Sequence, residues 1–467
     1  MQKQSCRIGL SIGDSFAELR AWPSPQPNTQ PKSQEDAPAI SQTRWYFGRK
    51  SLTDGLVEAL QKISTEHGEE ILARGRLQIG TSRVERAIER RQGAPTAILI
   101  SGGFENRLKL PFQKNLLLDS DLVFGVTARI GRDGKISAPF TVEDLEFFAA
   151  KFELLKIKTV ALLFVNSPLN PELEATARGF FLEKGYHVVG IDDVSPGLYG
   201  PGTIEITEDE RWRQIIEAAY AESAIDELRK QIDEGLEKAL GEKRAAWQVE
   251  FWTRQGLADW SQLNAARARD GIRAAHAQTA PAPSTFGLHL GLEMFQLLNP
   301  ENKPSLLPFR PTHRIGMGDW PFPMLTQEDV GYEPGPMLFG KSHHLTFLDL
   351  IFTQGQLKEV EGLSPLISEK SRARILESIL TLARVIPRED TTSPIDARAV
   401  AHDLETSCIE KISGALLING VRGKVRLTGA LAESFLPLLK HRRPDLTFSV
   451  AKDAQWAEAD ACGKLLS

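Results

Sequence analysis

The chain has 467 residues, 41% of them hydrophobic and 25% charged, with a formal net charge of -5 at pH 7. At ~100–200 residues per domain this length predicts two or three domains, the acidic balance offers no basic field for nucleic acid, and no run approaches the ~18 apolar residues of a membrane-spanning helix. Met1-Gln-Lys-Gln-Ser5 leads into a strand rather than an apolar leader, so a cytoplasmic location is expected, and the widely spaced Cys6, Cys408 and Cys462 read as small buried residues rather than a disulfide framework or metal site.

In chain order, Ile8, Leu10 and Ile12 alternate up to Gly13-Asp14, and Phe16 and Leu19 resume beyond it, which predicts strand, tight turn and strand over Arg7–Ala21. Such a turn is either an ordinary hairpin or a backbone cradle for phosphate. Pro23 to Pro38 is proline-rich and polar and predicts a flexible surface loop, after which Arg44–Phe47 reads as a strand, Leu52–Ile63 as a helix and Leu77–Gly80 as a strand. Gly80 to Phe104 reads as strand, helix stopped at Gly93, strand and Gly-Gly turn. Helices at Val142–Leu155 and Asn170–Lys184 flank the apolar strand Thr159–Val165, and His187–Ile191 closes a small α/β unit whose continuous apolar strands imply a sheet covered on both faces.

From Glu208 to about Gln255 the pattern is charged and helical, with Trp212, Ile215, Ile216, Ala219 and Tyr220 on one side. That stripe is either a connection between lobes or an amphipathic face for a partner. Pro281-Ala-Pro283 marks a boundary, and Thr285–Leu298 reads as a second strand–turn–strand, so the second half restarts as the first did. Gly316-Met-Gly318 and Pro334-Gly-Pro336 are tight backbone features, followed by helices near Thr346–Phe352, Glu369–Val385 and Pro394–Leu417. The end alternates strand Lys424–Thr428, helix Leu431–Lys440, strand Leu446–Val450 and helix Gln455–Leu466. The expected division is an N-terminal lobe beginning over 1–80 with a flexible loop at 23–43, an α/β unit over 81–205, a helical connection over 206–280 and a C-terminal lobe over 281–467.

Several of these stretches resemble the hydantoinase A, 5-oxoprolinase and acetone or acetophenone carboxylase family. Gly80-Thr-Ser through Gln92-Gly-Ala-Pro-Thr-Ala-Ile98, then Gly103-Phe104, resembles its G-T-T…E-R-x-G-A-x-T-A-L and following G-F. Asn170-Pro-Glu-Leu-Glu174 resembles its N-P-x-H-E. Pro334-Gly-Pro-Met-Leu-Phe-Gly340, Leu345-Thr-Phe-Leu-Asp-Leu350 and Gly355-Gln-Leu357 resemble its P-G-P-A-C-Y-G, T-D-A-N-L and G-R-L. The resemblance implies an α/β fold of the actin-like ATPase type, shared with acetate and sugar kinases, heat-shock 70 proteins and actin: two lobes, each opening on a phosphate hairpin, with an inserted small α/β unit and a long helical connection. Leu427-Thr-Gly-Ala-Leu-Ala432 resembles the adenosine turn T-G-G-x-A of that superfamily, and Asp453 to Gly463 resembles its closing helix D-x-Q-x-A-x-A-x-G.

By that resemblance the nucleotide-binding positions are Gly13, Asp14, Ser15, Gly291, Thr428, Gly429 and Ala430, and the cofactors are ATP with Mg²⁺ or Mn²⁺. The chemistry at these positions is eroded. The first hairpin of the family reads I-D-V-G-G-T-F-T-D where this chain has Leu10-Ser-Ile-Gly-Asp-Ser-Phe-Ala-Glu18, so a metal-orienting aspartate becomes Ser11 and a glycine becomes Asp14. A carboxylate ~4 Å from one phosphate charge at an effective dielectric near ~20 costs about 4 kcal/mol, unless Asp14 holds a bridging metal with Ser15. The second reads F-D-M-G-G-T-S-T-D in the family and Leu288-His-Leu-Gly-Leu-Glu-Met-Phe-Gln296 here, with only one glycine kept and bulky Leu292 and Met294 where hydroxyls should point. Ala430 replaces the second glycine of the adenosine turn. His343-His344 and the His313-Arg314 pair read as polar surface residues ahead of metal or anion contacts, and no catalytic residue or metal-ligand set is assigned.

The resemblance implies a subunit of a multisubunit ATP-dependent carboxylase that joins bicarbonate to a ketone of the acetone or acetophenone type, assembled with larger hydantoinase-like subunits. With its phosphate loops eroded, this chain is expected to be an accessory, regulatory or weakly nucleotide-binding member. The alternatives are a self-sufficient ATP-dependent amidohydrolase acting on hydantoins or oxoproline, and a noncatalytic actin-like scaffold.

Overall fold

The computed structural model describes residues 5–23, 38–109, 120–194, 207–278, 285–299, 304–307, 345–353, 369–384 and 394–463. The expected loop after Pro23, the tight features at Gly316–Gly318 and Pro334–Pro336, Gly355–Leu357 and the residues His313, Arg314, His343 and His344 fall largely or wholly outside them. The chain divides into two units, one of residues 1–82, 231–260 and 270–467, the other of 83–230 and 261–269.

The first unit holds two sheets that repeat one topology. In the first, Cys6–Ile12 and Phe16–Pro23 form the expected hairpin with Ser41–Tyr46 beside it, and Gly75–Thr81 and Trp247–Thr253 follow in parallel on the other side of Cys6–Ile12, edged by Gly256–Asp259. In the second, Thr285–Leu290 and Phe295–Leu298 form a hairpin with Pro304–Leu306 outside it, and Lys424–Thr428 and Thr447–Val450 follow in parallel. Three antiparallel strands and two parallel ones therefore occur in the same order twice, each sheet opening on the hairpin that the restarted pattern predicts. Ile8, Leu10 and Ile12 and the second-sheet residues Leu288 and Leu290 are fully buried, and the first strand is buried on both faces.

One expectation fails here. The helical run from Glu208 ends at Leu240, and Trp247–Thr253 is a strand inserted parallel to Gly75–Thr81. Trp247, Val249 and Phe251 alternate with Gln248 and Glu250, a period of two that the charged helical stretch before it obscures. The apolar stripe on the long helix is interior: Trp212, Ile215, Ile216 and Ala219 are all buried, so these residues are not an exposed face for a partner.

The closing segment forms a short 3₁₀ turn at Ala454–Trp456 and the helix Ala457–Gly463. Buried ions anchor it on the first hairpin. The Arg20 guanidinium pairs with Asp453 at 2.8 Å and Asp460 at 2.7 Å, while Arg44 pairs with Glu18 at 2.8 Å and covers the Trp456 ring.

The second unit is an all-parallel four-stranded sheet in the order His187–Val189, Thr159–Leu163, Thr96–Ser101, Val123–Val126. The helices Val142–Leu154 and Glu172–Glu183 contribute Leu145, Phe152, Leu173, Ala177 and Phe181 to its core. Thr141 and Asp144 form a reciprocal cap at the start of the first helix. The Asn170-Pro-Glu-Leu-Glu174 motif ties the unit together: Asn170 Nδ2 donates to the Gly134 carbonyl at 3.0 Å and Glu174 Oε1 accepts the Ile191 N–H at 2.6 Å. Burial pushes the Glu174 carboxyl up to about 7, against the opposing pull of the Ile191 N–H, Ser167 and Arg178. All three cysteines are free and buried. Among the described residues no helix is long and apolar enough to cross a membrane.

Candidate functional site

The two hairpins of the first unit close on equivalent turns. The Gly13 N–H donates to the Phe16 carbonyl at 2.9 Å, and the Gly291 N–H donates to the Met294 carbonyl at 3.0 Å. Strand register makes Ser11 the counterpart of His289, Ser15 of Glu293 and Glu18 of Gln296, since Ser11 pairs with Glu18 and His289 with Gln296. The two turns meet. The carboxylate of Glu293, at the tip of the second hairpin, accepts the Asp14 N–H at 2.6 Å, the Ser15 N–H at 2.5 Å and the Phe16 N–H at 3.3 Å.

Three successive N–H groups converging on one anion are the arrangement with which a backbone turn holds a phosphate. Here the anion is a side chain of the same protein, 92% buried. Gly13 is what allows the approach, because a Cβ there would lie 2.4 Å from Glu293 Oε2. The Ser15 hydroxyl donates to Asp14 Oδ2 at 3.3 Å. Leu292, on the other side of the second turn, is buried in the apolar core with Leu288, Leu290 and Phe295.

A second polar cluster lies behind the hairpins. Ser11 Oγ donates to Glu458 Oε2 at 2.9 Å, and His289 Nε2 lies 3.1 Å from Glu458 Oε1. The two strand positions that carry aspartates in the resembled family thus carry a hydroxyl and an imidazole that grip one carboxylate of the closing helix. His289 Nδ1 lies 3.2 Å from Thr428 Oγ1, and the His276 ring packs 4.2 Å from that of His289. Burial drives Glu458 upward, but the hydrogen bonds and charge of His289 outweigh it and hold the carboxyl below its usual range. Burial, with His289 adding to it, holds His276 down at about 3, so its imidazole is neutral at pH 7. Glu18, desolvated beside Arg44, is pushed upward.

The adenosine-like turn sits beside the second hairpin. Gly429 has φ +95° and a Cβ there would lie 2.3 Å from the Leu290 carbonyl oxygen, a conformation and a contact that both require glycine. Its N–H donates to the Ala454 carbonyl at 2.7 Å, and the Leu431 N–H donates to the Leu290 carbonyl at 2.9 Å. Gly13, Asp14 and Ser15 are therefore together at Glu293, while Gly291, Thr428, Gly429 and Ala430 adjoin the second hairpin and the His289–Glu458 cluster.

A nucleotide polyphosphate with its divalent ion does not fit this arrangement. The donors that would hold phosphate oxygens are bonded to Glu293, and Ser11, at the metal-orienting position, is bonded to Glu458. Sequence reasoning had Glu293 and His289 in view as substitutions but assigned them no partner, and it missed Glu458 and His276. The available signal was the pairing of changes: an acid, Glu293, stands at the tip of one hairpin where the other keeps the hydroxyl of Ser15.

Residues 33–185 match the family model of the hydantoinase/oxoprolinase N-terminal region. The chain is similar in structure to nucleotide-free acetone carboxylase, studied for the mechanism of ATP-dependent acetone carboxylation, with a TM-score of 0.65 and 13% identity over 98% of this chain and 70% of that one. It is also similar to the ATP-dependent caprolactamase of Pseudomonas jessenii, with a TM-score of 0.62 and 17% identity over 97% of this chain and 70% of that one. No curated protein matches in a sequence comparison. At these identities the likeness is one of fold: a mixed α/β fold shared with the acetone carboxylase and caprolactamase structures.

Proposed function

We propose that this chain is a non-hydrolysing subunit of a multisubunit ATP-dependent carboxylase acting on a ketone of the acetone or acetophenone type with bicarbonate, in which it serves assembly or regulation beside larger hydantoinase-like subunits. The matched hydantoinase/oxoprolinase segment and the fold likeness to acetone carboxylase support the class. The observation that carries the non-hydrolysing role is the Glu293 carboxylate on the Asp14, Ser15 and Phe16 N–H groups. An internal anion saturates the phosphate donors, and an external one has to displace it. In this reading Gly13, Asp14, Ser15, Gly291, Thr428, Gly429 and Ala430 are former nucleotide positions kept for shape, and ATP and its Mg²⁺ or Mn²⁺ belong to the partner subunits.

Calorimetric titration of the isolated chain with Mg·ATP tests this. The expected result is no saturable heat up to ~1 mM, which corresponds to binding weaker than about 4 kcal/mol, together with copurification of larger hydantoinase-like chains from the native source. Micromolar binding with phosphate release on adding a lactam or cyclic imide would overturn it in favour of an ATP-dependent amidohydrolase.

A further inference from the structure

In the second unit, His187 opens the edge strand His187–Val189, and the long helix Glu208–Leu240 presents Glu222 and Asp226 one turn apart on the same face. His187 Nε2 lies 3.0 Å from Asp226 Oδ2. One ligand atom from each of His187, Glu222 and Asp226 lies within 4.8 Å of the others. We propose that these three side chains bind a divalent first-row transition-metal ion, a site independent of the hairpins and of the function proposed above.

The charge around the three residues argues for a cation. Glu222 is buried, and the carboxylates facing it are Asp226 and Asp193. Arg229 faces Glu222 as well and donates to the Leu263 carbonyl, while Arg178 pairs with Asp193. Glu222 and Asp226 are thus acidic side chains one helical turn apart with an imidazole beside them, a donor geometry that a cation can bridge.

The donor set and its support fit that ion. One imidazole nitrogen and two carboxylate oxygens form a borderline set suited to Zn²⁺, Co²⁺ or Mn²⁺, and three protein ligands leave further positions for water. Metal–ligand bonds of ~2.1 Å in a tetrahedral site place donors roughly 3.4 Å apart, so side-chain rotation suffices to close the present spacing. Glu222 is already oriented, its Oε2 accepting the Ala265 N–H at 2.9 Å, the outer hydrogen bond by which a ligating carboxylate is held in place. His187 and Asp226 have side chains 45% and 39% exposed, which leaves an entry path.

The full chain, made without a polyhistidine tag, stripped with a chelator and desalted, is titrated with Zn²⁺ against a chromophoric chelator and separately with Co²⁺ while the visible d–d bands are followed. One equivalent binding at about 1 μM or tighter is expected, with at least a ~10-fold loss in His187→Ala and in Asp226→Asn. His187→Gln serves if the alanine variant fails to fold, and circular dichroism checks each. Wild-type binding weaker than about 100 μM, or folded variants that bind as the wild type does, would overturn the assignment and leave an ordinary His187–Asp226 ion pair.

Discussion

Removing the carboxylate of Glu293 tests the central feature of the first unit. Hydrogen bonds to a charged group contribute about 1.5–3 kcal/mol each when buried, and Glu293 accepts three N–H groups while only 8% exposed. Glu293→Gln keeps one carbonyl oxygen but turns an NH₂ toward a backbone donor, so it loses the Asp14 or Ser15 bond and neutralises the rest, a cost of about 2–4 kcal/mol. Glu293→Ala leaves all three donors to water and costs ~3–5 kcal/mol. Urea unfolding followed by tryptophan fluorescence reads both. The alanine variant also opens the cradle, so acetate or phosphate becomes a ligand of the folded state only. An anion held with Kd of ~5 mM restores about 1.4 kcal/mol at ~50 mM, with no effect on the wild type beyond that of chloride at equal ionic strength. Wild-type midpoints in both variants, or equal anion effects on variant and wild type, would refute the reasoning.

The Gly13→Ala variant places a Cβ 2.4 Å from Glu293 Oε2 and so expels the same carboxylate. It should cost about 2–4 kcal/mol alone and much less in the Glu293→Ala background, a non-additivity that a double-mutant cycle in urea measures. Arg20→Met strips Asp460 and Asp453 of their shared cation; losing this buried pairing costs about 3–5 kcal/mol, and amide exchange should show the closing helix losing protection first. Glu174 is predicted to make stability fall with rising pH. Its folded value of about 7 stands above its ordinary 4.5, so between those values the folded chain keeps a proton that the unfolded chain has released. The favourable contribution is complete below pH 4.5 and lost as pH passes 7, up to ~3 kcal/mol in all. Glu174→Gln, which retains an acceptor for the Ile191 N–H, should therefore gain on the wild type between pH 5 and pH 8 by up to that amount, and a pH-independent difference would contradict the burial argument.

The repeated hairpins and the strands Gly75–Thr81, Lys424–Thr428 and Thr447–Val450 were legible in the sequence, because strand alternation and glycine turns are local patterns repeated within a few residues. The strand Trp247–Thr253 was not, since its alternation is short and its polar positions carry Gln248 and Glu250, residues equally at home on the helix that precedes it. Erosion of the phosphate turns was likewise legible residue by residue at Ser11, Asp14, Leu292 and Met294. What took the place of the ligand was not. Glu293 reaches Ser15 across 278 positions of chain, and Glu458 reaches Ser11 across 447; no local pattern encodes a contact between residues so far apart. The sequence alone determined that one hairpin pattern occurs twice and that both turns depart from the side chains of the family they resemble. Only the tertiary structure decided that the tip of one is the anion held by the other, because a buried backbone N–H must find an acceptor and the fold sets which acceptor lies in reach.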